Sequence, residues 1–102
     1  MAERIKAYSG FFVAAGNARA VITGQGTNKK IVDARNVVWE ALTLVALVGD
    51  DDTLNRARAL LRVVSAIAFD GASFNAAEWD QLIEGFIRSS RLELIPPRNM
   101  DS

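Results

Sequence analysis

The side chains that most often do chemistry are missing from this chain. It has no histidine and no cysteine. That removes the commonest general base, the usual partner of a serine nucleophile, thiolate catalysis, disulfides and every thiolate-based zinc or iron–sulfur site. Ser9, Ser65, Ser73, Ser89 and Ser90 stand in helical or capping contexts, and none lies in the Gly-x-Ser-x-Gly turn of a hydrolase nucleophile. No catalytic residue, metal ligand or cofactor is implied, and the chain reads as non-enzymatic.

Three clusters remain to be explained. Asp50-Asp51-Asp52 is the densest acidic run, but a calcium loop needs carboxylates at alternate positions, a glycine at the sixth and a terminal Glu. Consecutive short acidic residues suit a helix start, where they cap amides and meet the positive end of the dipole. Gly24-Gln25-Gly26-Thr27-Asn28-Lys29-Lys30 lacks the gap and the Gly-Lys-Ser/Thr ending of a phosphate loop. It reads as the end of one helix followed by Thr27 or Asn28 capping the next. Arg58 and Arg62 share the exposed side of a helix, with Arg56 across the apolar arc. Such a pair is usually a solvated face, and phosphate reading from it is the alternative.

Charge and composition narrow the partners. Twelve Lys plus Arg balance twelve Asp plus Glu, so no long-range field draws the chain to nucleic acid or to an anionic membrane. The N-terminus has no apolar core or small-residue cleavage site of a secretory signal. The most apolar run, Val37 to Val48, contains Glu40 and is about half a bilayer span. A cytoplasmic protein is the default expectation. Half of the 102 residues are hydrophobic, enough for one core of ordinary size.

The elements that must position these residues are punctuated at Gly24-Gln-Gly26, at Gly49 to Asp52 and at Asp70 to Ser73. The last segment is the clearest. Asn75 and Glu78 have capping-box spacing, and Phe74 and Trp79 occupy the two positions of a hydrophobic staple. Trp79, Leu82, Ile83, Phe86 and Ile87 then form one stripe. The third segment starts near Asp52 or Thr53 and stops at Gly71, with apolar residues over roughly half its circumference. In the second, Ile31, Ala34, Val37, Val38, Ala41, Leu42, Leu44, Val45 and Val48 form a broader face. It is expected to be the most buried helix or to meet another chain.

The first segment admits two readings. Ile5, Tyr8, Phe11, Phe12, Ala15, Ala18 and Ile22 share a helical face, yet Gly10 and Gly16 weaken a helix and Gly16-Asn17 could close a hairpin. The expected fold is all-α, an antiparallel bundle of about four helices with short connections and helices two and three central. A hairpin in the first segment would make it α+β. Residues 1–95 form one helical domain. Leu92 to Ile95 leave the last helix as extended chain, and residues 96–102 form a short tail.

Trp39, Leu47 and Phe69 fall off the apolar sides of their helices, so they are the candidate partner-binding residues, although Trp39 could instead fill a corner of the core. The function expected is a protein–protein interaction module, a small adaptor, regulator or inhibitor. It would work as a homodimer through apolar helix faces, with an unidentified protein partner. The alternative is a dimeric nucleic-acid-binding regulator presenting Arg58 and Arg62, which the balanced charge disfavours. No membrane partner is expected.

Overall fold

A computed structural model describes residues 2–94, with the side chains of Ala2, Glu93 and Leu94 left aside. Four helices account for nearly all of it: α1 (Ala2–Thr23), α2 (Asn28–Val48), α3 (Asp51–Asp70) and α4 (Ala76–Leu94). Among the described residues there is no strand, so the all-α reading holds and the hairpin is excluded. The reason lies in the spacing of the buried side chains. Ala7, Tyr8, Phe11, Ala14, Ala15 and Ala18 are all buried, on one arc of a helix. A hairpin about Gly16-Asn17 would bury alternate residues and expose half of them. Gly10 and Gly16 lie on the opposite, outward side.

Each junction has a local cause. After α1, Gln25 takes the left-handed conformation at φ 58°, while the amides of Gly24 and Gly26 donate to Ala20 O and Val21 O at 2.9 Å each. The two glycines serve by closeness: a Cβ at Gly24 would stand 2.9 Å from Ala20 O, and one at Gly26 2.7 Å from Val21 Cγ1. Thr27 caps α2 by accepting from the Lys30 amide at 3.3 Å. Asp50 caps α3 by accepting from the Thr53 amide at 2.9 Å, so α3 begins one to two residues before the expected start. Gly71 closes α3 at φ 73°, and the Ala72 amide reaches back to Ala66 O at 3.2 Å. Asn75 accepts from the Glu78 amide at 3.0 Å, and the Phe74 and Trp79 rings meet at 6.2 Å. The Asn75 cap and the hydrophobic staple of the anticipated start signal are therefore present.

One terminal expectation is corrected. Residues 92–94, expected to leave the last helix, continue α4 to Leu94. Proline restrains only its immediate predecessor, so Pro96 leaves Leu92, Glu93 and Leu94 free to stay helical. Ile95 and the tail from Pro96 lie outside the described residues.

Consecutive helices are antiparallel neighbours, as shown by contacts that join the start of one to the end of the next. Arg4 Nε donates to Val48 O at 2.8 Å, and Thr53 meets Ser89. Arg19 reaches Asp80 at 3.1 Å, closing the ring between α1 and α4. α1 and α3 also touch across the bundle, whereas α2 and α4 do not meet. α1 and α3 thus form the short diagonal of the bundle, while α2 packs extensively on both of them. The cause is side-chain size: α1 buries four alanines and brings its backbone close to its neighbours. Tyr8 and Phe11 of α1 fill the wider gap to α4, with ring centroids 6.1 and 5.0 Å from Phe86.

Candidate interaction surfaces

α2 touches α1 and α3 but not α4, so its covered arc is narrower than its apolar arc. Val38, Leu42 and Val45 are buried. Val37 and Leu44, expected in the core, lie one step round the helix and are 50% and 55% exposed. Leu47 is 79% exposed beside them. With Glu3, Lys6 and Ala7 of α1, Leu44, Leu47 and Val48 line a depression of about 250 Å³, its charged residues at the α1 edge. On α1, Ile5, Phe12 and Val13 are exposed as well. Between Ala7 and Ala18 no residue of α1 carries a formal charge, so nothing on that stretch opposes burial against an apolar partner. On the α4 side, Phe12 and Val13 join Ile87 and Ser90 along a groove of about 340 Å³.

The three candidate partner residues divide between two surfaces. Leu47 belongs to the α1–α2 face. Trp39 and Phe69, both exposed, lie along the seam between α2 and α3. Arg35 ties the two sides of that seam. Its Nε donates to Ser65 Oγ at 3.1 Å, its Nη1 to Asn36 Oδ1 at 3.0 Å, and its guanidinium lies 5.4 Å from the centre of the Phe69 ring. Trp39 follows Arg35 by one turn, and the two line one depression with Asn36 and Glu40. Further along, Arg58, Arg62 and Ser65 rim an open depression of about 320 Å³ that Leu42 and Leu61 also line. Arg58 and Arg62 are exposed and make no ion pair among the described residues. Arg35 is the member that sequence reasoning passed over. Its signal was the spacing of one helical turn to Trp39.

A polar clasp joins α3 to α4. The Ser89 hydroxyl donates to Asp52 Oδ2 at 2.6 Å and stands 2.7 Å from Thr53 Oγ1. Ser89 has one proton and spends it on the carboxylate, so Thr53 is the donor in the second bond. Arg56 Nε donates to the same carboxylate oxygen at 3.1 Å. The Ser89 hydrogen bond, then the Arg56 guanidinium, holds the Asp52 carboxyl below the usual aspartate range. Asp52, the acceptor of the Ser89 proton, is a carboxylate made still less basic by its partners, and Ser89 is buried, so the cluster reads as a helix-to-helix fastening. Its acid came from the aspartate run assigned to helix capping; Asp50, not Asp52, is the cap.

Among the described residues no group of three or more acidic, His or Cys side chains is placed to hold a metal ion. None of the described helices is long and apolar enough to cross a membrane. No protein-family model matches the chain, and no curated protein and no solved structure is significantly similar to it.

Proposed function

We propose that this protein is a non-enzymatic protein–protein interaction module that works in the cytoplasm as a homodimer, pairing through the outer face of α1 and α2. The observation that carries the reading is the exposure of Val37, Leu44 and Leu47 on α2, together with that of Ile5, Phe12 and Val13 on the neighbouring α1. Two adjacent helices of 22 and 21 residues present a face of roughly 30 by 20 Å. That approaches the ~800 Å² per partner of a standard interface. An apolar area of this kind is uncommon on a monomer.

Sedimentation velocity over a concentration series tests it. The wild-type chain is expected to shift from monomer to dimer as concentration rises, and Leu44→Glu/Leu47→Glu is expected to remain monomeric with an unchanged helical spectrum. A wild-type chain that stays monomeric throughout overturns self-association.

A further inference from the structure

We propose that the α2–α3 seam around Trp39, Arg58 and Arg62 is a docking groove for an acidic amphipathic helix of a partner protein. The inference rests on the protein-binding part of the function above and not on self-association.

The seam has a distinct chemistry. The depression of about 320 Å³ is lined by Leu42 and Leu61 and rimmed by Arg58, Arg62 and Ser65. An apolar floor with cationic edges suits a side chain such as Leu or Phe that is flanked by carboxylates. Arg58 and Arg62 stand one helical turn apart and make no ion pair among the described residues, so both guanidiniums are available. Carboxylates one turn apart on an incoming helix match that spacing. The antiparallel register set by Arg35 on Ser65 and by Leu42 beside Arg58 puts Trp39 level with Leu61 and Arg62. There it offers a half-exposed aromatic surface of the type that anchors protein interfaces.

Three features favour a peptide over nucleic acid. The chain has no net charge, whereas a nucleic-acid surface needs a basic footprint. Leucine floors offer nothing to the polar edges of bases. Glu40 lines the depression that holds Trp39, so negative charge is accommodated only at the Arg58–Arg62 end of the seam. A continuous phosphate backbone is opposed at Glu40, whereas a helix can present its apolar side to Trp39 and its carboxylates to the arginines. A second copy is a poorer source of the acid, because two of the three carboxylates in the densest acidic run are engaged: Asp50 caps α3 and Asp52 is held by Ser89 and Arg56.

The test is fluorescence anisotropy with a labelled panel of acidic amphipathic helical peptides, read in parallel by Trp39 emission. Comparison arms are the same peptides with Gln or Lys in place of Glu, and a single-stranded RNA. Acidic peptides are expected to bind and to shift Trp39 emission, while buried Trp79 stays unperturbed. Affinity should fall about tenfold in Arg58→Gln/Arg62→Gln and with added salt. It should hold in the charge-matched control Arg88→Gln/Arg91→Gln on α4. The proposal is overturned if no acidic peptide binds, if the Gln or Lys peptides bind as well, if the double seam variant binds unchanged, or if the RNA binds more tightly. Sedimentation of the protein alone reads self-association separately, so either idea can fail without the other.

Discussion

Thr53 of α3 and Ser89 of α4 stand 2.7 Å apart through their hydroxyl oxygens, both shut off from water. Because Ser89 also donates to Asp52, one small side chain holds two residues of the neighbouring helix. Ser89→Ala takes the acceptor from Thr53 and the hydroxyl donor from Asp52 at once. A loss of about 1–3 kcal/mol is expected in urea denaturation. Adding Thr53→Val should cost less than its effect alone, because the Ser89 hydroxyl it pairs with is already gone. Additive losses would show that the two hydroxyls act independently.

The same clasp sets an acid dependence. The folded-state pKa of Asp52 is depressed by Ser89 and Arg56, so the carboxylate contributes stability above the ordinary aspartate value of about 3.9. That contribution is lost as the pH falls from there through the lower folded value. Asp52→Asn should therefore flatten the stability profile in this acid range and leave its shape near neutral pH unchanged. Chemical denaturation at a series of pH values measures this; a variant profile parallel to wild type throughout would contradict the assignment.

The first helix carries avoidable backbone cost. A Cβ on Gly10 or Gly16 would meet nothing within 4 Å, so Gly10→Ala and Gly16→Ala should each stabilise the monomer by about 1 kcal/mol. At the turn that follows, Gln25 holds φ 58° without being glycine. Gln25→Gly should add about 1 kcal/mol. Gly24→Ala and Gly26→Ala should destabilise, because a Cβ at each meets the end of α1 at 2.9 and 2.7 Å. Thermal melts of dilute samples give all five signs, and a destabilising Gly16→Ala would mean that the outward side of α1 is covered.

Four segments, the caps at Thr27 and Asn75 and the Gly71 stop were legible in the residues because each depends on groups within one or two turns, although the first segment also admitted a hairpin and α3 starts one to two residues before its expected place. Thr27, Asp50, Asn75, the Phe74–Trp79 staple and the left-handed Gly71 all act over such distances. The exposure of Leu47 and Phe69 was also readable, since each departs from the apolar side of its own helix, whereas Trp39 could equally have filled a corner of the core and is left half-exposed by the packing. What periodicity could not supply was which part of an apolar arc finds a cover. Val37 and Leu44 repeat with the core residues of α2, yet they face outward because α4 packs on α1 and α3 and never reaches α2. Only the tertiary arrangement sets Arg35 against Ser65 and Phe69, or brings Asp52 and Thr53 to Ser89, 36 and more residues away along the chain. Helix periodicity says which residues share a side; the positions of distant helices decide whether that side is filled, paired or left for a partner.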